Sequence, residues 1–209
     1  MKRPSDDVAD ARTAWRRWND GWLRAAQRSE SPNFEERPTD ACIDLIVLHS
    51  ISLPPGEYGG DQVLRLFANK LDWSAHPYFE KIHGARVSAH FFVRRDGALW
   101  QCVSCDDRAW HAGTSRYRGR DNCNDDSIGI ELEGLEGESF EPAQYRALAD
   151  LCRAIGQRYP IRHVAGHEHV APGRKFDPGP RFDWEWLRAA LEWDGKCFPS
   201  NRSDVGEKP

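Results

Sequence analysis

His167, Glu168, His169, Lys175 and Asp177 fall within one short stretch, GHEHVAPGRKFDPGP, from Gly166 to Pro180. Imidazoles and carboxylates are the side chains that bind divalent metals or exchange protons near neutral pH. The Pro and Gly residues among them forbid a regular helix or a central strand, so the stretch reads as a rigid loop that presents side chains.

A catalytic zinc site takes three protein ligands and leaves a position open for water. His49 stands at the end of an apolar run, CIDLIVLHS, and His167 just past a second short run around His163 to Ala165. Binding sites in α/β sheets gather at the carboxyl ends of strands, which makes these two histidines candidate neighbours. Asp177, followed by Pro178-Gly179-Pro180, is a candidate third ligand. His169 and Glu168 compete for the same metal, and a lone histidine at a strand end is commonly a hydrogen-bonded structural residue.

The elements that would position these groups follow from periodicity. Ile43 to Leu48 is apolar apart from Asp44, predicting a strand buried on both faces. A short helical pattern follows in DQVLRLFANKL, and RVSAHFFVRRDGALWQCV predicts a hairpin turning at Arg95-Asp96-Gly97. In DDSIGIELEG, Ile128, Ile130 and Leu132 alternate with Gly129, Glu131 and Glu133, a strand with one apolar and one acidic face. Pro142 opens a helix whose stripe is Tyr145, Leu148, Cys152, Ile155 and Tyr159, ended by Pro160. FDWEWLRAALEW predicts a closing helix capped by Asp183. Near the start, Ala11, Trp15, Trp18, Trp22 and Ala25 lie at helical intervals, a stripe suited to covering the core or docking a partner. Strands interleaved with helices predict an α/β domain with a central mixed β-sheet flanked by helices.

Bulk properties narrow the function. The 209 residues suffice for one domain, and a mean hydropathy of -0.74 without a long apolar run predicts no membrane span. The first residues, MKRPSDDVADARTAWRRWND, lack the apolar core of a secretion signal, which predicts a cytoplasmic protein. A net charge of -4 argues against nucleic acid as a partner. Six scattered cysteines suit a reducing compartment, and the lone Cys102-x-x-Cys105 pair, lacking a second pair, is read as packing rather than zinc binding.

The segments VLHSISLPPGEYGG, HPYF, RVSAHFFVRRDG, RAWHAG, CNDDSIGIELEG and GHEHVAPGRKFDPGP, in this order, resemble the zinc-dependent N-acetylmuramoyl-L-alanine amidases. These form the type 2 amidase and peptidoglycan-recognition-protein superfamily, and the nearest likeness is to its cytoplasmic AmpD-type branch, which recycles 1,6-anhydro-muropeptides. The resemblance spans about Gly21 to Trp186. It implies a zinc ion held by His49, His167 and Asp177, with Glu131 as proton carrier and Lys175 as oxyanion donor in H-x7-K-x-D spacing. It further implies a single type 2 amidase domain over residues 21–195, an N-terminal extension of residues 1–20 expected to be helical, and a C-terminal tail of residues 196–209. The expected partner is a small muropeptide, met by a monomer.

Each role has a plainer counterpart. Glu131 and Glu133 share a strand face, and only the resemblance favours Glu131. Lys175 could be a surface lysine. His90 and His111 resemble positions lining the family's substrate cleft, or they complete structural hydrogen bonds. Arg86 and Arg120 are candidates for the carboxylates of a stem peptide by charge complementarity. Ser50 stands where close relatives carry Asn, and Asn122 where they often carry Arg, which bears on cleft contacts. Two rival functions remain in view. A recognition protein that binds without cutting would lack part of the metal set, and a zinc peptidase would show a helical H-E-x-x-H, whose second His HEHVAP lacks.

Overall fold

The structure, a computed structural model, describes residues 13–199. Its first strands are β1 (Trp18–Asn19), β2 (Trp22–Leu23), β3 (Gln27–Arg28), β4 (Phe34–Glu35) and β5 (Leu45–Ile51). Helices α1 (Gln62–Phe67) and α2 (Pro77–Lys81) follow, then β6 (Phe91–Val93), β7 (Leu99–Gln101), β8 (Arg108–Ala109), β9 (Arg116–Tyr117), β10 (Arg120–Asp121) and β11 (Ser127–Glu133). The chain continues through α3 (Pro142–Arg158), β12 (His163–Gly166), α4 (His167–Val170) and α5 (Trp184–Leu191).

Six strands form one mixed sheet in the order β12-β5-β11-β6-β7-β3. The four from β12 to β6 run parallel, and the β6–β7 hairpin, turning at Asp96-Gly97 as expected, supplies the antiparallel pair. Leu45, Ile46, Val47 and Leu48 are all fully buried, because β5 is central and covered on both sides. One face carries Ile46, Leu48, Ile128, Ile130 and Leu132 against Leu148, Cys152 and Ile155 of α3 and Leu187 of α5. Pro142 occupies the first turn of α3, the Glu141 N–H donates to Gln144 Oε1 (3.0 Å), and the Gln144 amide donates to the Glu133 carbonyl (3.0 Å). The helix is thereby fastened to the end of β11. The opposite face carries two smaller clusters, Leu45, Val47, Ala112, Cys123, Ala165 and Val170 on one side and Phe92 with α1 and α2 on the other.

Three expectations need correction. β11 is buried at every position, so its alternating acids are not a solvated face: Glu131 and Glu133 are carboxylates inside the protein. The loop after Gly166 starts with one helical turn, α4. The aromatic stripe is not one helix either. Trp18 and Trp22 lie on the hairpin β1–β2, whose two-residue turn holds Asp20 at φ 47° and Gly21 at φ 73°, the paired positive angles that Asp-Gly supplies. A Cβ on Gly21 would stand 2.2 Å from Ser104 Oγ. Trp18 nevertheless covers core, edge-on to Tyr159 at 5.9 Å. Residues 1–12 of the expected extension lie outside the described residues, and so do residues 200–209 of the expected tail, whose Phe198 is buried in the core. Cys102 and Cys105 are both buried and free, as packing residues are.

Candidate metal centre and active site

His49 is the fifth residue of β5, and Glu131 is its register partner on β11. Register partners on parallel strands present side chains to the same face, so both point to the side opposite α3. His167 begins α4 immediately after β12, which pairs with β5 on its other edge. The Glu168 N–H donates to the Asp177 carbonyl (2.9 Å), closing the loop so that its two ends meet. His49 Nδ1 and His167 Nδ1 lie 3.0 Å apart, and Asp177 Oδ2 is 3.2 Å from each.

This triangle has the character of a cation site. Two imidazole nitrogens and one carboxylate oxygen converge from three elements, with both histidines buried and Asp177 partly so. The outward nitrogens already have protein partners: His49 Nε2 faces His111 Nδ1 (3.0 Å) and His167 Nε2 donates to the Ala112 carbonyl (3.1 Å). Both Nδ1 lone pairs are therefore free to point inward. Burial pushes the His49 imidazolium down to about 4, so the ring is neutral and able to ligate at neutral pH. Burial works against a charge on Asp177, yet the adjoining His167 and His49 rings hold its carboxyl well below the usual range. Sides of 3.0 to 3.2 Å suit donors each about 2.0–2.2 Å from one small ion.

His169 does not compete for this place. Its Nδ1 accepts the Gly166 N–H (3.0 Å) and its ring packs edge-on against Trp184. The two glutamates of β11 also separate. Glu133 Oε1 accepts from the Gly59 N–H (2.6 Å) and Oε2 from the Arg95 N–H (3.0 Å), a structural carboxylate tying two loops. Glu131 Oε2 is buried with no hydrogen-bond partner. Burial and the nearby Asp177 charge push the Glu131 carboxyl well above its ordinary value, opposed by Lys175. An orphaned buried carboxylate oxygen beside a donor triangle is poised to take a proton. Lys175 is partly buried, and its positive charge opposes both the protonation of His49 and the raised proton affinity of Glu131.

The other candidate residues divide. Arg86 is exposed. Arg120 is not brought to the centre: its guanidinium pairs with Asp44 (2.7 Å) and Asp126 (2.8 Å). Those acids directly precede β5 and β11, at the strand ends away from His49 and Glu131. His90 does not line a cleft. It is fully buried, with Nδ1 accepting the Gly129 N–H (2.9 Å) and Nε2 beside the Asp107 carbonyl (3.1 Å). His111 is buried behind His49. Sequence reasoning passed over Arg37, whose partly buried guanidinium donates to the carbonyls of Cys105, Asn124, Asp125 and Ser127. It also passed over Ser127 and Gly129. Only Gly129 carried a signal, since a glycine inside a strand marks a close approach.

Residues 38–180 match a family described as N-acetylmuramoyl-L-alanine amidase. The 1,6-anhydro-N-acetylmuramyl-L-alanine amidase AmpD of Escherichia coli (strain K12) is 51% identical over 173 residues, 82% of this chain and 94% of the relative. A crystal structure of a Se-Met AmpD derivative superposes with a TM-score of 0.82 at 50% identity, covering 84% of this chain and 99% of that one. AmpDh3 from Pseudomonas aeruginosa, solved in complex with anhydromuramic pentapeptide, is similar at a TM-score of 0.53 and 30% identity, over 77% of this chain and 65% of that one.

Proposed function

The chain belongs to the N-acetylmuramoyl-L-alanine amidase family, and from that membership we propose that it hydrolyses the amide joining the lactyl group of 1,6-anhydro-N-acetylmuramic acid to L-alanine. The products are the anhydro sugar acid and the free stem peptide, as in peptidoglycan recycling. The observation that carries this reading is the His49–His167–Asp177 triangle beside the orphaned Glu131 carboxylate.

The donor set is that of a hydrolytic zinc site, and zinc is the metal proposed. When bound, it supplies Lewis acidity that polarises the scissile carbonyl and makes water acidic enough to lose a proton near neutral pH. Glu131 accepts the proton of the attacking water as its oxygen bonds to the carbonyl carbon. The same carboxyl then delivers that proton to the alanine nitrogen as the C–N bond breaks, a task for which its raised affinity for protons suits it. Lys175 donates to the oxygen that becomes negative in the tetrahedral state. Arg86, exposed and unencumbered by the core, is the proposed partner of a stem-peptide carboxylate.

Among the described residues no helix is long and apolar enough to cross a membrane. A cytoplasmic monomer acting on soluble muropeptides is the setting proposed. Incubating the zinc-loaded protein with purified anhydro-muropeptide and, separately, with intact sacculi tests the substrate class. Rapid release of peptide from the small substrate alone is expected, and equal turnover of sacculi would overturn the recycling assignment.

A further inference from the structure

His49 can ligate through Nδ1 only if its single proton sits on Nε2, and a chain of hydrogen bonds behind it decides that question. The chain begins at the Cys123 carbonyl, which can only accept, so the Ser127 hydroxyl in contact with it donates there. Ser127 Oγ lies 3.3 Å from His111 Nε2 and, its proton committed, accepts from that nitrogen. Neutral His111 then has a bare Nδ1, which faces His49 Nε2 at 3.0 Å and accepts from it. The His49 proton is thus fixed on the outward nitrogen, and its Nδ1 lone pair is left for the triangle with His167 and Asp177.

The fold reserves room for this chain. Ser127, Gly129 and Glu131 line one face of β11, and His111 lies over Gly129, where an added Cβ would come within 2.4 Å of the imidazole. A residue with any side chain there would displace His111 from the line between Ser127 and His49. His111 itself is steered by its own backbone: the N–H groups of His111 and Ala112 both donate to Asn124 Oδ1, at 3.2 and 2.8 Å.

We infer that His111 is a positioning residue for the metal centre: anchored by Ser127 and seated over Gly129, it sets the tautomer and ring orientation of His49. Outer partners of this kind orient a ligating imidazole and raise its basicity. The inference rests on His49 being a metal ligand. It assigns His111 to the back of the centre, rather than to substrate.

Two replacements of His111 separate this role from packing. Asn places a carbonyl oxygen where Nδ1 stands and can accept from His49, whereas Phe keeps the ring shape and accepts nothing. Zinc affinity is read by chelator competition, and the His49 tautomer in metal-free protein by nitrogen-15 NMR of the imidazoles. His111→Phe is expected to weaken zinc binding roughly 10- to 100-fold and to lose the single Nε2-protonated form of His49, with His111→Asn closer to wild type in both. A packing role would give the reverse order, and Phe binding zinc as well as Asn, or as well as wild type, would overturn the inference. Should His111→Phe fail to fold, Ser127→Ala serves instead: a mixed His49 tautomer with several-fold weaker zinc binding is expected, and an unchanged tautomer would overturn it. Wild-type protein that binds no zinc would sink the metal assignment itself, a result distinct from indifferent His111 variants.

Discussion

His49 and Glu131 are directly opposite one another on the parallel strands β5 and β11, with their side chains on the same face of the sheet. Neighbouring strands lie about 4.8 Å apart, so this one register places a neutral imidazole beside a buried carboxylate without any loop intervening. The rigid centre of the sheet thus carries one member of the candidate metal-binding group and the proposed proton carrier, and the segment from α4 onward carries the other two members and Lys175. A slip of one residue in β5 would send His49 to the α3 face and dismantle the site.

The metal assignment makes a substitution pattern. Alanine at His49, His167 or Asp177 removes a donor from the triangle, and each variant should lose both stoichiometric zinc and activity. His169→Ala should keep both, because its ring serves the Gly166 N–H and Trp184 instead. Metal analysis of the purified variants decides it, and zinc lost from His169→Ala but retained by His167→Ala would reverse the ligand assignment.

Glu131→Gln should retain zinc while turnover falls roughly 10²- to 10⁴-fold, the range for losing a general base. It should also stabilise the metal-free protein, in a pH-dependent manner. The folded pKa of Glu131 lies well above its unfolded value, so between the two the folded state binds more protons and stability drops as pH rises. Gln does not titrate. The melting temperature of chelator-treated Glu131→Gln should therefore exceed that of wild type by more at pH 8 than at pH 5, and a difference independent of pH would contradict the buried, proton-avid carboxyl. Glu133→Gln should instead lower stability, since both oxygens of Glu133 hold backbone N–H groups.

Lys175→Ala should leave zinc in place and reduce kcat by roughly 10²- to 10³-fold, the usual loss with an oxyanion donor. An equal loss of zinc would show that Lys175 acts through the loop fold rather than on the reacting carbonyl.

The two arginines predict opposite kinetics. Arg86→Ala should raise KM with little change in kcat, the pattern of lost uniform binding. Arg120→Ala should leave both constants near wild type and lower the melting temperature, because its partners Asp44 and Asp126 sit at the far ends of the strands. A raised KM in Arg120→Ala alone would mean that the substrate reaches that end of the sheet.

How much of this was legible in the sequence depended on whether a feature is local. The buried run of β5, the stripe of α3 and the Asp183 cap, which accepts the Trp186 N–H, follow from neighbours in the chain and came out as expected. The hairpin at Trp18 to Leu23 was open to the same reading, since Asp20-Gly21 carries the turn signal used at Asp96-Gly97, but the spacing of the tryptophans masked it. Choosing Glu131 over Glu133 required knowing which carboxylate meets backbone N–H groups from distant loops. The burial of His90 and His111 depends on the segment from Ser104 to Asp126 folding across the sheet, a tertiary event with no periodic signature.

The proposed chemistry is tested most directly by hydrolysing anhydro-muramoyl-tripeptide with the zinc-loaded protein in ¹⁸O-labelled water and weighing both products. Attack on the lactyl carbonyl must leave the heavy oxygen in the carboxylate of the anhydro sugar acid and release an unlabelled tripeptide with a free L-alanine amine. Label in a peptide fragment, or no cleavage by the zinc-loaded protein, would contradict the account.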